Sequence, residues 1–219
     1  VQGYSTISDA IGYCYQEKGH VFWSITFPTA NVTWRYDFTA SQQMGRPIWH
    51  QALYWNGTTG TYEAHRALYH AHIFNKHIVA DRASGALYEM KLPSVSQGVA
   101  SFVTDSGSAI RRIRRTQHLH GENKTIFYNS LEIILESGLG IAGTGQGSNP
   151  ALTLRVSNDG GKTYAFDRTG YAGAIGQYKK RVKFDYLGSA RDRVFEVVAT
   201  DPIPYRLIDG ILEAEVGMS

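Results

Sequence analysis

Residues 152–166 read LTLRVSNDGGKTYAF. Leu152, Leu154 and Val156 alternate with Thr153, Arg155 and Ser157, which is the period of a half-buried strand. The next eight residues, Ser157 to Tyr164, spell S-x-D-x-G-x-T-aromatic, an Asp-box. Asp159-Gly160 is a dipeptide favoured where a tight turn needs positive φ. An aspartate there bonds back to turn amides, and serine and threonine hydroxyls tie the loop further. The stretch therefore reads as a hairpin held by Ser157, Asp159, Gly161, Thr163 and Tyr164, with Tyr164 expected to pack into the core. A calcium ion wants roughly six to eight oxygens, and the single carboxylate of Asp159 is a poor start on that number.

Outward from this hairpin the chain keeps the same texture. Residues 20–27 (HVFWSITF), 31–38 (NVTWRYDF), 67–74, 76–80 and 86–92 read as strands, as do 110–119, 124–137, 151–157, 162–167, 178–185, 192–199 and 205–216. YNSLEIILES at 128–137 alternates Leu131, Ile133 and Leu135 with Glu132 and Glu136, so it too is a strand. No segment predicts an amphipathic helix of twelve or more residues. WRYDFTAS and HIVADRASG each place an aspartate turn after a strand, and Asp37 and Asp81 stand 44 residues apart. A four-stranded propeller blade runs about 40–50 residues. The expected fold is all-β, with propeller-type blades of antiparallel strands. Small polar residues after Pro93 mark a soft boundary near residue 100. Residues 1–100 read as propeller-like blades, and 101–219 as a C-terminal antiparallel β region carrying the Asp-box hairpin, in the same propeller or apart from it.

A hydrophobic content of 42% with 19% charge describes a globular chain rather than a disordered one. Cys14 is the sole cysteine, so no intrachain disulfide is available. No run of about 18 apolar residues offers a membrane span, and no secretory leader is visible. The chain starts on Val1, from which it reads as a fragment or processed product whose fold is incomplete upstream. The net charge of +3 comes wholly from residues 109–219, with 15 basic and 12 acidic side chains against 7 and 7 before them.

Several constellations bear on chemistry. A sialidase-like glycosidase needs three arginines on a carboxylate, a Tyr–Glu pair and an acid; the Arg-Ile-Pro companion motif is absent, GRPIW at 45–49 having the letters in the wrong order. GLGIAG at 138–143 has the G-x-G-x-x-G spacing, but TGQGSNP follows it and cannot start the helix a dinucleotide needs. His65, His70, His72 and His77, then His118 and His120, cluster without a ligand pattern, so they read as structural rather than zinc-binding. In IRRIRR at 110–115, Arg112 and Arg114 would face one way and Arg111 and Arg115 the other. Such arginines either pair with nearby carboxylates or neutralise phosphates without reading sequence. The sequons at Asn31, Asn56 and Asn123 carry little without a leader. No cofactor or metal is called for.

The order of motifs carries a resemblance. PALTLRVSNDGGKTY (150–164), GAIGQYKKRV (173–182), YLGSARDRVFEVVATDP (186–202) and LIDGILEAEVG (207–217) together resemble the packaged-DNA stabilisation protein family of short-tailed bacteriophages. GHVFWSITFPTANVTWRYD (19–37) and HIVADRASGALYEM (77–90) are similar to that family's propeller strands. The most specific part is 149–202. The resemblance implies a virion structural protein without catalytic residues. It implies a closed, hexameric ring of copies in the tail below the portal and adaptor, carrying the tail needle, assembled in the host cytoplasm, and helping to close the channel and retain DNA. Arg111, Arg112, Arg114 and Arg115 would then face a neighbouring subunit or packaged DNA, non-specifically. Tyr164 stands where the family often has tryptophan. Many members are longer than this chain. The alternatives are a sialidase-like glycan-binding or glycan-cleaving propeller and a free nucleic-acid-binding β domain.

Overall fold

A computed structural model describes residues 2–218, and antiparallel strands dominate it. The chain forms two compact units, Val1–Leu92 with Thr104–Ser108, and Pro93–Val103 with Ala109–Ser219.

In the first unit, β1 (Ile11–Glu17), β2 (His20–Phe27), β3 (Val32–Asp37) and β4 (Trp49–Gln51) pair in chain order as a four-stranded antiparallel sheet. That is the make-up of a propeller blade. A short helix, α1 (Phe38–Met44), lies between β3 and β4. Asp37, expected in a turn, instead caps this helix: its carboxylate accepts from the Ala40 amide at 2.9 Å and meets His20 Nδ1 at 2.8 Å. Gly45 closes the helix in the left-handed region at φ 63°. β5 (Leu53–Asn56) and β6 (Thr61–Ala64) form a hairpin, and β7 (Ala67–Ile73), β8 (Lys76–Asp81) and β9 (Leu87–Met90) a three-stranded sheet. Asp81 ends β8 as Asp37 ends β3. It is buried and takes bonds from the Arg66 guanidinium, the Ser84 hydroxyl and the Ala83 amide. The two aspartates thus do equivalent work, satisfying donors that appear where a strand stops. A small hairpin of β10 (Ser94–Ser96) with β11 (Val99–Ser101) falls in the second unit, and one of β12 (Thr104–Asp105) with β13 (Ser108–Ala109) follows it, returning to the first unit up to Ser108.

The second unit holds β14 (Arg112–Arg115), β15 (Leu119–His120), β16 (Ile126–Leu135), β17 (Ala151–Ser157), β18 (Ala165–Tyr171), β19 (Val182–Asp185), β20 (Ser189–Ala190), β21 (Asp192–Ala199) and β22 (Leu207–Val216). One sheet runs β14-β21-β17-β18, with β15 also on β21. The other is centred on β16, flanked by β22 and by β19 with β20. Their inner faces share one core: Tyr128, Leu131 and Ile133 of β16 with Val182 and Phe184 of β19, together with Leu152, Leu154 and Val156 of β17 and Phe195 of β21. Two antiparallel sheets enclosing a common layer of alternating apolar residues make a sandwich.

Three strands differ from their expected bounds by more than two residues. The 110–119 run is broken, since Arg115 pairs with Glu196 but Leu119 with Arg193. One extra residue is accommodated there, and the Thr116 hydroxyl accepts the Phe195 amide at 3.0 Å. β18 begins at Ala165 rather than 162 because the Asp-box loop runs on to Tyr164. β19 begins only at Val182, since Gly173 to Arg181 form an irregular loop.

Phe195 is 1% exposed between the two sheets. Phe195→Ala should cost about 3–5 kcal/mol in urea unfolding by lost burial and cavity formation, whereas a loss below about 1 kcal/mol would contradict a shared core at this point.

Candidate functional site

The Asp-box turn is closed by its own side chains. Asp159 accepts from the Ser157 hydroxyl at 2.6 Å, the Thr163 hydroxyl at 2.6 Å, and the Lys162 and Thr163 amides at 3.0 Å. The Ser157 hydroxyl in turn accepts the Gly161 amide at 2.8 Å. Gly160 and Gly161 both adopt positive φ, 74° and 83°, so the reversal draws on the second glycine as well as the expected first. The hydroxyls of Ser157 and Thr163, with the Thr163 amide, hold the Asp159 carboxyl well below the usual carboxylate range. No part of the Asp159 carboxylate is left to act as an acid near neutral pH, and its acceptor sites are filled from within the loop.

Tyr164 does not enter the core. Val156 faces inward and pairs with Ala165, so the next position back, Tyr164, points to the outer face beside Arg155. There the Arg115 and Arg155 guanidinium carbons lie 4.9 Å and 5.7 Å from the Tyr164 ring centroid. Both arginines also hold Glu196. Arg115 Nε donates to one carboxylate oxygen at 2.7 Å and Arg155 to the other at 3.1 Å. Arg155 continues to Asp167 at 2.8 Å and to the Tyr164 carbonyl at 3.3 Å. Glu196 is only 1% exposed. The result is a charged knot across β14, β21 and β17 with the Asp-box tyrosine against it, on the outer face of the sheet.

Of the four arginines singled out in the sequence, Arg115 is thus committed to Glu196. Arg112 donates to the Asp201 carbonyl at 3.2 Å and lies 5.8 Å from the Tyr205 ring centroid. Arg111 is half-buried and also engaged, while Arg114 is exposed. They do not converge on one site. Glu196 and Arg193 were not singled out as site residues. A lone glutamate inside VFEVV and an arginine in RDR look like surface charge until the sheet places them. Arg193, 3% exposed, sits 4.4 Å from the Tyr128 ring centroid. It donates to Asn158 of the Asp-box loop at 2.9 Å and to the Leu187 and Ser189 carbonyls.

Of the histidines, His65, His70, His72, His77 and His118 have structural partners, while His120 is exposed. His70 and His77 share a 2.9 Å hydrogen bond, His77 lies 3.5 Å from Glu17, and His70 stacks on Tyr13. His118 meets Asp192 at 3.0 Å. Burial, with Arg35 and Arg82, pushes His65 down to about 3. Among the described residues no group of three or more His, Cys, Asp or Glu side chains could hold a metal ion. GLGIAG opens no helix; a Cβ at Gly140 would meet the Ser148 carbonyl oxygen at 2.5 Å and the Ile175 amide nitrogen at 2.9 Å, so that glycine serves close loop packing. An open groove of about 790 Å³ runs beside Phe127, Asn129, Tyr186 and Glu213, and a smaller one of about 190 Å³ beside Asp159 and Phe166. Neither is lined by arginine, so neither offers the arginine-lined carboxylate site of a sialidase.

Two outcomes follow from this geometry. Glu196→Ala should cost about 2–3 kcal/mol in chemical denaturation, less than a fully buried pair because Arg115 is 54% exposed, while Arg115→Ala costs about 1 kcal/mol or less; equal costs would contradict the knot. A lowered folded-state pKa means that the Asp159 contribution is present above the unfolded carboxylate value and is lost as pH falls through the folded one. Amide exchange at Lys162 and Thr163 should therefore stay slow to well below the usual carboxylate range in the wild type and be fast at pH 7 in Asp159→Ala; equal protection in both would contradict it.

No curated protein matches the chain. Family models do. Residues 1–94 match the one described as the bacteriophage P22 Gp10 beta-propeller, and residues 111–215 the one described as the bacteriophage P22 Gp10 beta-sandwich. With nearly the whole length covered by these two models, the chain belongs to the Gp10 family of phage structural proteins, the packaged-DNA stabilisation proteins of podophages.

Proposed function

We propose that this chain is a mechanical, non-catalytic part of a short phage tail. It forms a closed ring with copies of itself below the portal, hexameric as the family resemblance implies, and meets the adaptor above and the tail needle below. In that place it helps to close the channel and retain packaged DNA. The protein reaches the particle by assembly in the host cytoplasm. Residues 1–100 supply propeller-like blades and 101–219 the C-terminal β region with the Asp-box hairpin.

The observation that carries this reading is the pair of family matches over 1–94 and 111–215. The site geometry supports it: Asp159 within the Asp-box and Glu196 in the knot beside Tyr164 are both held by internal donors, as suits stiffening rather than turnover. Locked turns suit a ring that bears pressure. Ser157, Asp159, Gly161, Thr163 and Tyr164 act as the turn lock. Arg115 works within the sheet, which leaves the exposed Arg114 as the member of the basic strand best placed for a neighbouring subunit or a DNA phosphate. Among the described residues no helix is long and apolar enough to cross a membrane.

Deleting the gene and examining the particles tests the proposal. Heads should fill and then lose DNA, with tails missing their distal parts. Mutant particles that keep their DNA and assemble complete tails would overturn it.

A further inference from the structure

We propose that the exposed edge of β22 is a docking surface for a second copy of this chain, received by the loop around Ile175–Lys180 of that copy. The proposal rests on the ring reading and names the surface through which such a ring would close.

Among the described strands β22 pairs only with β16, so its other edge presents ten residues of backbone with no ladder partner. Nearly every side chain on it is open to solvent, including Leu207, Ile208 at 70%, Ile211 and Val216. An apolar edge of this length is a template for a further chain. Its charges say which chain. Among the described residues, Asp209 accepts only from the neighbouring Gly210 amide and Glu215 only from Asn129 at 3.4 Å, so neither carboxylate has a cation there. Two β22 edges brought together would oppose these like charges, which disfavours pairing of the edge with itself about a two-fold axis.

The same unit offers the complement. Just before β19, on the other side of β16, the loop exposes Ile175 and Tyr178 together with Lys179 and Lys180. Among the described residues neither lysine has an acidic partner, whereas the nearby Arg181 and Lys183 are already taken by Glu132 and by Asp185 with Glu213. One side of the sheet is therefore apolar with free acids and the other apolar with free bases. Unlike, complementary patches on one protein make a heterologous contact, which propagates head to tail and closes when the rotation allows.

Sedimentation velocity on the full chain tests this at low and high salt, using the wild type, Asp209→Lys with Glu215→Lys, Lys179→Glu with Lys180→Glu, and an equimolar mixture of the two variants. All four positions are exposed, and circular dichroism checks that each variant is folded. The wild type should associate, more weakly as salt rises. Each variant alone should associate about tenfold or more weakly. The mixture should recover wild-type association, because every contact in an alternating assembly again joins opposite charges. Association of either variant at wild-type strength, or no recovery in the mixture, overturns the docking surface and leaves the ring to another interface. A wild type that stays monomeric also overturns it, while the ring reading is then judged by the particle experiment.

Discussion

Glu196 is a carboxylate set in the middle strand of a three-strand ladder, and the outer face of the second unit is organised around keeping it paired. A buried charge without partners would be expensive. Arg115 comes from one neighbouring strand and Arg155 from the other, so the requirement is met only when β14, β21 and β17 are in one register. A one-residue slip would turn Glu196 into the apolar layer that holds Phe195 and expel Phe195 to the outside. The ion pairs therefore matter less for net stability than for choosing between registers. They also pass order outward: Arg155 reaches the Tyr164 carbonyl, both guanidinium groups lie beside its ring, and Tyr164 ends the Asp-box loop.

Seen this way the Asp-box is one end of a connected rigid assembly. Its turn is locked by Asp159 from within, its tyrosine by the arginines of the knot, and its Asn158 by Arg193, which also holds the 187–189 turn. These links run through hydrogen bonds and ring contacts that hold both Asp159 and Glu196. A structural protein of a pressurised particle gains from such closure, since local opening at a turn is where strain would first be relieved.

Much of the fold was legible because a strand writes its burial into alternate residues. β17 follows from Leu152, Leu154 and Val156, and β2, β3, β8 and β16 sit within a residue or two of where apolar periodicity put them. The all-β class and the antiparallel pairing followed. The same alternation is present in IGYCYQE, which forms β1, but its glycine, cysteine and glutamine make a fainter pattern. What alternation cannot say is how sheets stack, because a blade and half a sandwich have the same period. That is why a sandwich was not foreseen for the second unit. The short helix after Asp37 was hidden for a related reason: seven residues give too little periodicity, and an aspartate that caps a helix looks like one that ends a turn. At the site, the turn chemistry of Ser157, Asp159 and Thr163 is local in sequence and could be read. The Glu196 knot spans residues 115, 155, 164 and 196 and exists only after the strands pair. The outward placement of Tyr164 depends on the same pairing.

The most direct test of the account is electron microscopy of purified phage particles at a resolution that traces this chain. A ring of copies beneath the portal, each with the Asp-box hairpin packed on the Arg115–Glu196–Arg155 knot, is the predicted result. Particles from which the chain is missing, or which hold it away from the portal-to-tail channel, would contradict it.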